Sequence, residues 1–139
     1  MMTGFLKVEG IEGESKDATH RRWIDVSNVS WGMSQEAVPA VDGGLAPGAA
    51  EVQALSFTHR YDRASVRLFE ACATGRMIGS MIFEAVVPFR EDELYVYLRA
   101  EFQDCLVTSV QTSSVGEHVM ETVEVVFRSV QVESFDKPL

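Results

Sequence analysis

This chain of 139 residues lacks most of the features that announce a chemistry. Only two cysteines occur, Cys72 and Cys105, far apart and outside any C-x-x-C spacing. Neither a disulfide framework nor a zinc site is indicated, and both read as small buried hydrophobes. The three histidines, His20, His59 and His118, each stand without a second His or Cys at ligand spacing, and H-E-x-x-H is absent. No G-x-S-x-G elbow is present. GRMIGS at 75–80 lacks the lysine and the glycine spacing of a phosphate loop. MMTGFLKVEG has no charged segment leading into an apolar one, so no secretory signal is read. The most apolar run, MIGSMIFEAVVPF, carries Glu84 and Pro88 and is too short to span a bilayer. Bases are scarce: 12 Lys and Arg against 21 Asp and Glu leave a net charge of -9. Duplex DNA and anionic membranes are poor partners for such a chain, because phosphate binding needs concentrated Lys and Arg. Carboxylate pairs such as Glu91–Asp92 fall in polar turns, where nothing would split their pKa values for acid–base work. Asn28-Val29-Ser30 matches a glycosylation sequon, but without a signal it would not meet the machinery. Catalysis, a metal and a cofactor are therefore not expected.

What the chain has in quantity is period-two alternation. Strands are read at 5–10, 22–34, 52–60, 80–89, 93–102, 104–113 and 119–133. Within 22–34 the apolar parity changes from Ile24 and Val26 to Val29, Trp31 and Met33, which predicts a β-bulge near Asn28. Asp25, Ser27, Ser30 and Ser34 then share one face of small polar residues. ELYVYLRAEF puts Leu94, Val96, Leu98, Ala100 and Phe102 on one side and Tyr95, Tyr97 and Arg99 on the other. That second side suits cross-strand packing or a subunit contact better than base stacking. The last strand loses its phase after Phe127, so it either bulges there or passes from one sheet to a second. REDE at 90–93 and SSVGEH at 113–118 are turns. Pro39 to Glu51, PAVDGGLAPGAAE, is a long exposed loop or a loose hairpin tip, since Gly, Ala and Pro leave little to bury.

One helix is expected, over about 64–74. Ala64, Leu68 and Cys72 recur at helical spacing and Phe69 widens the stripe. Asp62 or Ser65 serves as N-cap and Gly75 ends the helix. Arg63 and Arg67 in the first turn oppose the helix dipole, so packing on the sheet must hold the helix in place. The fold class expected is mainly β, a single domain over 1–139: an antiparallel β-barrel of two sheets flanked by one short helix. Outward apolar and aromatic residues and open barrel edges point to protein contact.

Five segments in order carry a resemblance. FLKVEGIEGES, IDVSNVSWGMSQ, LSFTHRYDRASVRLFEACATGRMI, DCLVTSVQTSS and ETVEVVFRSVQVE resemble the Hcp (haemolysin-coregulated protein) family from about Phe5 to Glu133. Val66 departs from it, since many relatives have proline there. The resemblance implies six copies closing into a ring and rings stacking into the inner tube of the bacterial type VI secretion apparatus. Partners would then be further copies, the spike and sheath proteins, and small effectors held in the ring. The protein would be made in the cytoplasm and exported to the medium or a target cell without a signal peptide. No appended toxin domain is expected. An effector-binding carrier ring and the tail-tube subunit of a phage-like contractile particle are the alternatives. The resemblance assigns ring stacking to the 39–51 segment, with Asp42, Gly43, Gly44, Leu45, Pro47 and Gly48. Asp25, Ser27, Ser30 and Ser34 are expected to line the pore, whose walls should be wetted and non-adhesive. Tyr95, Tyr97 and Arg99 are expected at the subunit interface.

Overall fold

Alternating apolar residues fold the chain into six strands that need one shared interior. The computed structural model describes residues 2–136, in the order β1 (Met2–Val8), β2 (Ile24–Pro39), β3 (Leu45–Arg60), α1 (Arg63–Thr74), β4 (Ile78–Arg90), β5 (Glu93–Val115) and β6 (His118–Ser134). All pairings are antiparallel, and the strands close into one barrel in the order β1-β2-β3-β6-β5-β4. The mainly-β barrel with one helix is as expected; a single closed sheet takes the place of two. Leu6, Ile24, Leu55, Phe57, Met81, Phe83, Phe102 and Val123 are almost wholly buried inside it. Closure depends on two long-range seams, β3 with β6 and β1 with β4. At the second seam a Cβ on Gly4 would lie 1.9 Å from the Glu84 carbonyl oxygen, so only glycine allows that approach.

The expected bulge is present. Asn28 takes φ 52 and the β2–β3 register shifts between Ser27 and Ser30. Val29 and Trp31 thereby turn inward, and the Trp31 ring meets Phe83 and Phe102 edge-on at 6.0 and 5.4 Å. Met33, placed in the same set by the sequence, has left the core and is 63% exposed. The two strands expected at 93–102 and 104–113 are one, because Asp104 adopts φ 54 without interrupting the ladder. The phase change after Phe127 is neither a register bulge nor a change of sheet. Ile78, Cys105 and Phe127 form one inward row, and Met81, Phe102 and Val130 form the next. Those rows lie three residues apart on all three strands, so side-chain parity slips in step and pairing is kept.

Helix α1 closes one end, called here the near end, together with the 9–23 segment and the β5–β6 turn. Asp62 accepts from the Ala64 N–H at 2.9 Å, while its own N–H donates to Ser65 Oγ at 3.0 Å, so Asp62 is the N-cap and Ser65 completes a capping box. Gly75 ends the helix at φ 69. The buried stripe is Ala64, Ser65, Leu68 and Ala71, with Cys72 half-buried. Phe69 lies outside it, 60% exposed, because at 100° per residue Ala71 completes the inner face instead. Cys105 is buried in the barrel wall, and burial, aided by Asp104, pushes its thiol up to about 11.

The strands run on past the barrel at the far end as two arms. In the first, β2 and β3 pair out to Pro39 opposite Leu45, leaving a turn of only residues 40–44. Of the two alternatives for 39–51 the hairpin is found, with far more paired strand than its composition suggested. In the second arm β4 and β5 meet at a two-residue turn, Glu91–Asp92, with Asp92 at φ 61.

Candidate assembly surfaces

Hydroxyl side chains form a continuous outer surface on four strands. The ladder sets Ser27 opposite Thr58, Thr58 opposite Thr122 and Thr122 opposite Gln111. One row further, Ser30 faces Ser56, Ser56 faces Glu124 and Glu124 faces Ser109. All eight point away from the core, whose wall here is Leu55, Phe57, Val123 and Val125. Thr58 and Thr122 hydroxyls are 3.4 Å apart. Among the expected pore residues, Ser27 and Ser30 thus belong to one sheet face, while Ser34 lies on the first arm opposite Glu51. Asp25 stands at the margin, opposite Phe5. Burial, then the charge of Asp17, holds its carboxyl above the usual range.

The first arm has no core beneath it. No residue from Trp31 to Ala54 is buried, and Val41 and Leu45 at its tip are 110% and 81% exposed. Asp42 Oδ1 accepts from the Gly44 N–H at 3.0 Å and Gly43 takes φ 90, which shapes the tip. Pro47 and Gly48 lie in its β3 strand, Pro47 opposite Ala37. Of the expected interface residues, Tyr95 donates its hydroxyl to the Phe135 carbonyl at 2.5 Å, and Arg99 Nε lies 3.5 Å from Glu84. Tyr97 is partly buried against the core. These three are therefore engaged within the chain, and part of their surface is left open.

A family model described as "Type VI secretion system effector, Hcp" matches residues 5–133. The chain belongs to the Hcp family. It is 36% identical over 131 residues to the protein hcp1 of Pseudomonas aeruginosa, covering 93% of this chain and 80% of that one. The crystal structure of Hcp1 from Salmonella typhimurium superposes with a TM-score of 0.80 at 31% identity, covering 97% of this chain and 88% of the other. A second solved structure, described as a type six secretion system protein, gives a TM-score of 0.85 at 25% identity over 96% and 84%. Hcp proteins are tube components of type VI secretion and are themselves secreted.

In this Hcp chain two buried polar clusters hold the barrel's outer and near-end segments in place. His20 is only 2% exposed, stacked on Phe5 at 4.3 Å and edge-on to Trp23. Its Nδ1 lies 2.6 Å from Asp17 and its Nε2 2.6 Å from Glu84, so the ring bridges two carboxyl groups. The hydrogen bond from His20 holds the Asp17 carboxyl below its ordinary value. This clamp fastens the polar 15–22 segment onto the outside of β1 and β4. At the near end, His59 Nε2 lies 2.9 Å from Glu121, its partner across the β3–β6 ladder, and Thr112 donates to the other oxygen at 3.0 Å. Burial raises the Asp62 carboxyl, 3.7 Å from His59 Nδ1, above its usual range. A pocket of about 370 Å³ beside this cluster is lined by Tyr61, Val66, Phe69 and Glu121 among others. Each of these two histidines joins a carboxyl three residues away, Asp17 or Asp62, to one 64 or 62 positions away that no local spacing reveals.

Proposed function

We propose that this chain is a non-catalytic, structural subunit of the type VI inner tube, closing into hexameric rings that stack. The observation that carries this reading is the first arm: 32–39 and 45–53 pair as strands around a 40–44 turn without a buried side chain, and Val41 and Leu45 are exposed at the tip. Apolar surface held on a rigid arm in this way is stabilised by contact with another molecule. A ring supplies it through heterologous contacts, in which one patch meets a different patch on the next copy. Purified protein is expected to sediment as a species of roughly six copies and to show rings by negative-stain microscopy. A monomer that persists at high protein concentration would overturn the reading.

The hydroxyl face favours a second role within the same assembly, as the wall against which small effectors are held. Ser27 and Ser30 form its β2 edge, and the Ser30→Arg variant should form rings while losing co-purified effector. Effector levels indifferent to that change would remove Ser30 from the wall. Synthesis in the cytoplasm without a signal peptide, and contact with the spike and sheath proteins, complete the proposal.

A further inference from the structure

The charge of this molecule is unevenly divided between its two ends. At the near end two adjoining grooves, of about 530 and 510 Å³, share Arg21 and Arg22. Lys7 lines the first and Lys16 the second. Arg22 and Arg63 both approach Glu12, at 3.1 and 3.8 Å. Lys7, Lys16 and Arg21 are exposed and form no ion pair with any described residue. Glu9, Glu12 and Glu14 line the same grooves, but Lys7, Lys16, Arg21, Arg22 and Arg63 outnumber them. In a chain of net charge -9, this excess of cations is a local reversal of sign.

The far end has the opposite character. Glu91 and Asp92 make the β4–β5 turn and Glu93 follows it, all three exposed and free of ion pairs among the described residues. The first arm adds Glu36, Asp42 and Glu51 on the same side. Arg90, beside the turn, lies 4.9 Å over the Phe89 ring. The turn cannot reach the grooves of its own chain. Lys7 is level with Ile82, and the eight residues from there to Arg90 span roughly 26 Å of extended strand. Over that distance attraction within one molecule is screened, the Debye length being about 8 Å at physiological salt.

We infer that the acidic β4–β5 turn of one copy seats in the Lys7–Lys16–Arg21 grooves of a copy in the next ring. This rests on the tube-subunit reading. Two far ends brought together would oppose carboxylate to carboxylate, so charge fixes the polarity of stacking as well as its strength.

The test uses two charge reversals in the full-length protein, Lys7→Glu with Arg21→Glu, and Glu91→Lys with Glu93→Lys. All four positions are exposed, and melting curves confirm that each variant folds. Wild-type stacks, counted by negative-stain microscopy and sedimentation, should fall at least tenfold between roughly 0.05 and 0.5 M salt, leaving single rings. Each variant alone should form rings that do not stack at the lower salt. Mixing the two should restore stacks, because each then offers the charge the other needs. Variants that stack like the wild type, a mixture that stays unstacked, or wild-type rings that stack at neither salt would overturn the inference and leave the ring intact. So would a groove that binds a short single-stranded oligonucleotide while stacking ignores both reversals. Absence of wild-type rings would instead overturn the tube reading itself.

Discussion

His20 shows how a single side chain can hold a whole segment in place. Its ring bridges Asp17 on the polar segment and Glu84 on β4, and it is stacked on Phe5. Replacing it with alanine leaves two carboxylates close together over a vacated site. His20→Ala should lower stability by about 3 kcal/mol, read as a shifted urea midpoint at unchanged slope. The same contact gives an acid dependence of known sign. The folded-state pKa of Asp17 is depressed below 3.8, so its contribution is present above that value and is lost as pH falls through the lower folded one. Urea midpoints between pH 5 and 2 should fall less steeply in Asp17→Asn, and an unchanged acid limb would show that the clamp carries no such linkage. Asp17 stands three residues from His20, but nothing in the sequence pairs the ring with Glu84, which becomes its neighbour only once the barrel has formed. The helix caps, by contrast, were legible, because Asp62, Ser65 and Gly75 act on groups within three or four residues.

Elements were legible wherever one face met the core and the other met water. The bulge at Asn28 could be read from a parity change that occurs in β2 alone. The identical sign after Phe127 meant something else, because β4 and β5 slip at the same level and the ladder absorbs the change. The extent of the first arm was hidden for a related reason: with no buried face it has no alternation, and its Ala, Pro and Gly read as a loop or a loose hairpin tip. That independence can be measured. Deleting most of 36–50 and joining the strands through Asn-Gly should leave the melting temperature within a few degrees, since no buried contact is removed. The shortened protein should lose ring stacking. A large drop in melting temperature would mean that the arm supports the barrel.

For the whole molecule, closure through distant strands governs how the fold is reached. β1 pairs with β4 and β3 with β6 across some 60 to 80 residues of chain, as in Gly4 with Ala85 and Arg60 with Met120. Topologies dominated by such contacts fold in roughly milliseconds to seconds. Trp31 reports on this directly, because its ring rests on Phe83 of β4 and Phe102 of β5. Its native fluorescence should return in that time range after dilution from urea, and recovery within microseconds would contradict it. The seams also bear on how the protein is made. A nascent chain halted before His118 has no β6 to lie beside β3, and so offers a neighbour only an unfinished wall. Copies must then leave the ribosome complete before any of them can be recruited, and growth of the polymer becomes a matter of how many finished molecules the cell keeps in store.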